Sequence, residues 1–518
     1  MAAFSHASIE KESEIVPVYP TVDAKYKVAI DLGSTTIVCY LLTSSLAAEE
    51  QRETGKQRIT KEKCVIEEHR AKEEKDYRRF FTSDDTWRKQ VIAVESTLNP
   101  QAVYGKDVIS RISYIGHDRE RLGQMQRMVV EQCEKLLLKM FQQQNISIGE
   151  DTLEEIVVAG NPTMCHILLG YLPESLAAAP FSHAYQGSVR IKAGDIGFGQ
   201  LTDVSLYVLP SISHHVGADT VSAMCDTLYK QSGVQLLIDI GTNGELVLQN
   251  GEKYYACSAA AGPALEGGAI SQGMIAENGA IHEVNLTGNK EMDVHWIGQE
   301  KTRAKGICGS GLLDAIAVLC NIGIIEANGT FIQTWGVNDQ KLSYGIKKRL
   351  IDYEGERAFV LYIENETLLS RARGQSELFE REVKEGKIQA VILKQSDIRN
   401  VQLAKAAIYA AIFVMLKAAG IRSSDVDKIY LAGAFGNYMR VESAIRIGLL
   451  PGEWRDKIVM AGNAAGEGTC KVALCEAIRE WAEKIPETVY HLPLGQSKLF
   501  QEYYIQAMNF EPPDMYAE

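Results

Sequence analysis

The sequence predicts an α/β protein of two lobes that repeat one another, and three observations predict it. Strand-like and helix-like apolar patterns alternate along the chain. A buried strand that runs into an acidic, glycine-bearing turn occurs twice, 208 residues apart. The length, 518 residues, leaves room for more than one core at about 150 residues per domain. Apolar residues make up 46% and charged residues 23%, a composition that excludes collagen-like, coiled-coil and wholly disordered chains.

Residues 1–25 form a polar leader, expected to be loose, with Pro17 and Pro20. Glu10, Lys11, Glu12 and Glu14 fall where a secretory signal would carry its apolar run, so a cytoplasmic protein is expected. The first lobe is placed at 26–232. VAIDLGSTT (28–36) reads as a buried strand entering a polar turn, and IVCYLL (37–42) resumes as a second strand. In the stretch 49–85, 21 of 37 residues are charged, ten basic and eleven acidic. Such a composition buries too little apolar surface to pack, so the stretch is read as a solvated insertion in the hairpin. VIAVESTLNP (91–100) returns to strand pattern. Apolar residues then recur at helical spacing over 105–144, EEIVVAGNPT (154–163) and VSLYVLP (204–210) are strands, and a helix covers about 219–231.

The second lobe, placed at 233–460, opens by repeating the first: VQLLIDIGTNGELVL (234–248) is again strand, turn and strand. Ile30-Asp31-Leu32-Gly33-Ser34-Thr35 aligns with Ile238-Asp239-Ile240-Gly241-Thr242-Asn243. Each copy sets a carboxylate at a strand end, before a turn whose glycine lets backbone N–H groups approach an anion. Two such turns facing one another could hold a nucleotide's phosphates and its magnesium. GICGSGLLDA (306–315) is a glycine-rich helix start, YLAGAFG (430–436) a strand ending in glycines, and GNAAGEGT (462–469) opens the C-terminal part, 461–518, read as a connecting helix and tail. The most apolar stretches, 306–325 and 406–416, are interrupted or short, and read as buried helices and not as membrane spans.

Charge and cysteine usage exclude more. Lys and Arg total 54 against 67 Asp and Glu, a formal charge of −13. That balance disfavours nucleic-acid binding through a broad basic surface. The chain has ten cysteines but no C-x-x-C, and Cys470 and Cys475 are the closest pair. Neither a zinc site nor an iron-sulfur cluster is expected.

The order of first turn, second turn, connecting helix, glycine-ended strand and second connecting helix resembles the superfamily of sugar kinases, heat-shock chaperones and actin. That resemblance implies two actin-like lobes with ribonuclease-H-like sheets around an ATP cleft. NPQAVYGKDVISRI (99–112), AGNPTMCHILLG (159–170), HVGADTVSA (215–223), CSAAAGPALEGG (257–268), KGICGSGLLDAIA (305–317) and QSDIRNVQLAKAAI (395–408) resemble the ATP-dependent reductive activators of corrinoid proteins. The resemblance implies ATP and Mg2+ as ligands. It implies a corrinoid protein of a methyltransferase system as partner, and return of its cobalt(II) to cobalt(I) as the task. Members of that family commonly carry a ferredoxin module, often N-terminal, whereas the short leader before Asp31 holds no cysteine, so an external donor, such as a ferredoxin-type protein, is expected here. Two other readings stay open: a small-molecule kinase of the same superfold, and a nucleotide-sensing scaffold without turnover.

On this reading Asp239 and Asp31 hold magnesium or its waters, although an Asp at a strand end can simply cap a turn. Gly33, Ser34, Thr35, Thr36, Gly241, Thr242, Asn243 and Gly244 would contact phosphates. Glu245 and Glu266 are candidates to orient an attacking water. Gly433, Ala434, Phe435 and Gly436 would carry a nucleoside on their backbone, or merely make a tight turn. Gly309, Ser310 and Gly311 divide between close packing and nucleotide contact. Ser396 either caps a helix beginning near Val401 or offers an oxygen to cobalt at the partner surface. His214 and His215 are adjacent, diverge, and are set aside as a metal pair.

Overall fold

The computed structural model of the protein describes residues 25–44, 85–105, 107–149, 151–177, 181–288, 291–299, 302–333, 342–433 and 439–511. The leader, apart from Lys25, and the charged insertion, apart from Asp85, lie outside the described residues. The chain divides into two compact units. One comprises Ala2–Gln231 and Asn463–Val489, the other Ser232–Gly462 and Tyr490–Glu518.

The N-terminal unit is built on β1 (Tyr26–Leu32), β2 (Thr36–Thr43), β3 (Val91–Leu98), β4 (Leu153–Gly160), β5 (Val189–Lys192) and β6 (Ser205–Val208). They lie in the order β3-β2-β1-β4-β6-β5. β1, β2 and β3 form an antiparallel meander, while β4 joins β1, and β6 joins β4, in parallel. Parallel strands covered on both faces need continuous apolar runs, and Ile156, Val157, Val158 and Ala159 of β4 are all buried. The helical stretch of the sequence is two helices. Val108–Ile115 ends at Gly116, whose φ is +50°, and Arg119–Gln143 starts anew under an Asp118 cap.

β2 and β3 are direct neighbours, with Leu42 opposite Val91 at the end where the charged stretch joins them, so a short turn can replace it. Deleting 49–85 is expected to leave the melting temperature within a few degrees of the parent, since the charged composition of that stretch offers few core residues to lose. A fall of more than about 10 °C, read by differential scanning calorimetry, would show that it packs.

The C-terminal unit repeats the design. Its strands are β7 (Val234–Ile240), β8 (Gly244–Asn250), β9 (Lys253–Ala259), β10 (Ala280–Leu286), β11 (Met292–Trp296), β12 (Gly306–Ile307), β13 (Leu350–Tyr353), β14 (Glu356–Ile363), β15 (Ala390–Lys394), β16 (Lys428–Ala432) and β17 (Ile458–Gly462). The main sheet runs β17-β16-β7-β8-β9-β18, where β18 is Val489–His491. Here β7, β8 and β9 make the antiparallel meander, while β16 joins β7, and β17 joins β16, in parallel. Its first five strands repeat the order β6-β4-β1-β2-β3 of the other unit. The protein has the α/β fold of the actin-like superfamily, with the ribonuclease-H-like sheet present twice.

Helix Gln395–Ala419 is the spine of the C-terminal unit: Ile398, Val401, Ala404, Ile408, Ala411 and Ile412 are buried in the main core. By length and composition it could cross a bilayer, but 83% of its most apolar window is buried inside the protein. It begins at Gln395 and not near Val401. The reason is local: the Asp397 carboxylate accepts the Lys394 amide at 2.9 Å and the Ser271 amide at 2.7 Å, closing a first turn that contains Ser396. Helix Ala464–Leu474 is short, and helix Glu476–Thr488 follows it directly.

Candidate functional site

In the N-terminal unit the turn 33–35 joins β1 to β2. Gly33 is required there, because a Cβ would lie 2.6 Å from the Thr36 carbonyl oxygen, which accepts the Gly33 amide at 3.0 Å. The remaining turn carbonyls also point into the protein. Gly33 O accepts the Asn99 side-chain amide at 2.9 Å, Ser34 O accepts an Arg111 Nη2–H at 2.5 Å, and Thr35 O accepts the Asn99 backbone amide at 2.8 Å. Among the described residues no acceptor takes the amide of Ser34 or of Thr35. A turn with its carbonyls occupied and its amides open suits an anion. Thr36 is the first residue of β2, opposite Leu98.

Asp31 lies one residue before the end of β1, paired with Val38 and Ala159. Its carboxylate accepts the Asn463 side-chain amide at 2.9 Å, and Asn463 Oδ1 caps helix Ala464–Leu474 through the Gly466 amide. Burial pushes the Asp31 carboxyl up to about 7; the Asn463 hydrogen bond opposes the shift, and the charge of Asp219 adds to it. Asp219, at the start of helix Ala218–Thr227, is pushed up to about 6 by burial, against the Thr220 amide that it accepts at 2.8 Å. Two sequestered carboxylates of like charge, neither in an ion pair with a described residue, are what a divalent cation relieves.

The second turn, 241–243, is one residue shorter, with Ile240 opposite Gly244 where Leu32 lies opposite Ile37. The Gly241 amide donates to Asn243 O at 3.0 Å, and Thr242 O accepts the Gly262 amide at 2.8 Å. Asp239 pairs with Glu245 across β7 and β8 and with Ala432 on β16. The Thr242 hydroxyl donates to Glu266 Oε2 at 2.6 Å, and the Ser258 hydroxyl to Glu245 Oε1 at 3.1 Å. Burial raises the Glu266 carboxyl above the ordinary range, opposed by that Thr242 hydrogen bond. Gly433 has φ +91°, and a Cβ there would lie 2.7 Å from Asp239 Oδ1. Thus Asp239, Gly241, Thr242, Asn243, Glu245, Glu266 and Gly433 come together in one unit, and Asp31, Gly33, Ser34, Thr35 and Thr36 in the other. Ala434, Phe435 and Gly436 lie outside the described residues.

Other sequence candidates stand in packing positions. Gly244 is buried, with room for a Cβ only at 3.2 Å from Ile408 Cγ1. Gly309, Ser310 and Gly311 begin the buried helix Gly309–Asn321. A Cβ on Gly311 would meet Ile281 O at 2.3 Å, and the Ser310 hydroxyl donates to His282 O at 3.0 Å. These three seat the helix on β10. Ser396 is exposed; its amide and hydroxyl donate to Glu356 Oε2 at 2.7 Å and Oε1 at 2.9 Å. His214 stacks on Phe181 at 4.8 Å, and His215 meets both rings edge-on. Among the described residues no three His, Cys, Asp or Glu side chains form a metal-holding group.

Asn99, Arg111, Asp219 and Asn463 are functional candidates that a residue-by-residue reading of the sequence misses. The signal was partly present, since all but Asn463 lie in NPQAVYGKDVISRI or HVGADTVSA.

The family description of the C-terminal ASKHA domain of RACo matches residues 233–365 and 340–517, and that of the RACo middle region matches 84–231. The corrinoid activation enzyme RamQ of Eubacterium limosum is 31% identical over 488 residues, 94% of this chain and 70% of that protein. A Co(II) methylated amine-specific corrinoid protein reductase of Methanosarcina barkeri is 28% identical over 410 residues, 72% of this chain and 65% of the relative. Among solved structures, a reductive activator for corrinoid, iron-sulfur protein superposes with a TM-score of 0.71 at 26% identity, over 95% of this chain and 67% of the other. The chain therefore belongs to the RACo family, the reductive activators of corrinoid proteins.

Proposed function

We propose that this protein uses ATP and Mg2+ to return a corrinoid protein of a methyltransferase system from cobalt(II) to cobalt(I), the electron coming from a separate, ferredoxin-type donor. The observation that supports it most is the duplicated turn. Each of two equivalent sheets ends its central strand in a carboxylate and a glycine turn, and the first turn leaves two amides without an acceptor among the described residues.

The residues fit the ligands. Asp31 and Asp239 would hold magnesium or its waters, with Asp219 beside Asp31; Ser34, Thr35, Thr36, Thr242 and Asn243 would donate to phosphate oxygens. Bound Mg2+ would neutralise charge on the phosphates. Glu266, tied to the turn through Thr242 and raised in pKa by burial, is the better placed of the two carboxylates to orient and deprotonate a water; Glu245 remains the second.

Reduction of cobalt(II) takes one electron, and for a one-electron couple about 59 mV is a factor of ten in the equilibrium. A change in cobalt's axial ligand can therefore make an uphill reduction accessible. Ser396 suits a contact with the partner. Its hydroxyl proton is given to Glu356, which leaves the oxygen as an acceptor, and its partner Glu356 and neighbour Gln395 border an open cavity of about 460 Å³ with Arg357 and Arg399. ATP binding and hydrolysis would couple the affinity for the partner to its redox state.

The test is ATP turnover with and without a corrinoid protein. Turnover is expected to rise about fivefold or more with the cobalt(II) form and much less with the cobalt(I) or methylated form. With an artificial reductant, the cobalt(I) spectrum should appear faster with ATP than without. Ser396→Ala should slow that appearance; an unchanged rate would leave Ser396 a first-turn contact to Glu356 and nothing more. No response of either readout to any corrinoid protein of the same cell would sink the proposal, and phosphorylation of a small acceptor would put a kinase in its place.

A further inference from the structure

The geometry points to Arg111 as a positioning residue of the first turn: we propose that its buried charge, held against the Ser34 carbonyl, makes the amides of residues 34 and 35 select a polyphosphate chain. The inference rests on the nucleotide reading above and adds to it the group that sets phosphate preference.

Arg111 is fully buried on helix Val108–Ile115. Its donors go to neutral partners. Nη2 donates to Ser34 O at 2.5 Å, Nε to Gly105 O at 3.0 Å, and Nη1 to Gln101 Oε1 at 3.3 Å and Met164 Sδ at 3.2 Å. No carboxylate among the described residues pairs with it. Asp107, whose charge it feels, is occupied as the cap of the same helix, accepting the Ser110 amide at 2.8 Å and hydroxyl at 2.7 Å. A buried cation without an anion is costly and is normally paired. The space in front of Ser34 is where an anion would complete the pair.

The other turn is one residue shorter, its strands pairing at Ile240 and Gly244 where the first pairs at Leu32 and Ile37. Thr242 O, held by the Gly262 amide at 2.8 Å, matches Thr35 O, held by the Asn99 amide at 2.8 Å, so the Ser34 carbonyl belongs to the longer first turn alone. Its donor is a guanidinium, set in a low-dielectric environment where a charge acts over a longer range than in water. Asn99 supplies the bracing on either side, through Gly33 O and Thr35 O. Charge is what Arg111 adds.

The experiment is calorimetric titration of the full chain with ATP, ADP, adenosine and inorganic tripolyphosphate, for the parent, Arg111→Gln and Arg111→Lys. Arg111→Gln keeps a hydrogen-bond donor and loses the charge. It should bind tripolyphosphate and ATP about tenfold more weakly, ADP less so, and adenosine unchanged. Arg111→Lys should keep ATP and tripolyphosphate within about threefold of the parent. Equal losses in the two variants, or a Gln variant that binds like the parent, would make Arg111 a brace only and overturn the inference. Should Arg111→Gln fail to fold, Arg111→Lys decides alone, because a brace with altered geometry would lose ATP affinity while a retained charge would keep it. A parent chain that binds neither ATP nor tripolyphosphate removes the nucleotide reading and this inference together; a parent that binds both, with charge-independent variants, removes only this one.

Discussion

Asp239→Asn is expected to lower ATP turnover by about 10²–10³-fold while the protein stays folded. The substitution is nearly isosteric and removes one charge. Asp239 sits one residue before the end of β7, held on both sides by strand pairing with Glu245 and Ala432, so its side-chain position is set by the sheet. It is only part-buried, and Gly433 crosses beside it with backbone alone. A half-buried carboxylate at a strand end is expected to contribute little to the core. The measurement is steady-state phosphate release beside a thermal melt. Turnover within about threefold of the parent would remove Asp239 from the magnesium role. Loss of turnover with a melting point lowered by more than about 10 °C would mean that the charge serves the fold.

What the sequence made legible was local. The strand-turn-strand pattern of 28–42 and 234–248 could be read because alternating burial and a glycine turn are properties of adjacent residues, and both copies fold as hairpins. The partners of those turns were illegible for the opposite reason. Asn99 reaches Gly33 across 66 residues, Arg111 reaches Ser34 across 77, and Asn463 reaches Asp31 across 432. Polar side chains that meet only after folding leave no periodic trace. Glycine-rich motifs are ambiguous in another way. Gly309–Gly311 could be read as close packing or as nucleotide contact, and at Gly311 the backbone of β10 at Ile281 is what comes close. A missing Cβ is the same signal in either case. The start of helix Gln395–Ala419 was misplaced because Gln395-Ser396-Asp397 reads as a polar loop, although Asp three residues after Lys394 is a capping signal whose acceptor role appears only in the folded turn.

Glu155→Ala is expected to cost about 3–5 kcal/mol, because it strands a buried guanidinium. Glu155 of β4 and Arg479 of helix Glu476–Thr488 form a two-pronged pair, Nη1 to Oε1 at 3.1 Å and Nη2 to Oε2 at 2.6 Å, with side chains only 8% and 6% exposed. Arg479 also lies 4.7 Å from the Tyr207 ring and donates to Val472 O. Arg190, 3.9 Å from Glu155 and largely in water, is a second cation and offers Arg479 no replacement partner. The pair fastens the returning segment Asn463–Val489 to the sheet of the N-terminal unit, and that segment carries Asn463, the hydrogen-bond donor to Asp31. A melting-point fall of roughly 6–20 °C should follow in a unit of this size, together with weaker ATP binding as Asp31 loses its orienting amide. Replacing both partners by apolar residues of similar size, Glu155→Leu with Arg479→Met, should recover most of the stability, since the desolvation cost of both ions disappears with them. If the single substitution costs less than about 1 kcal/mol, the pair behaves as a surface ion pair does. Water would then reach Arg479 freely, and the segment must be held to the sheet by its apolar contacts, Ala482 and Ile485 among them.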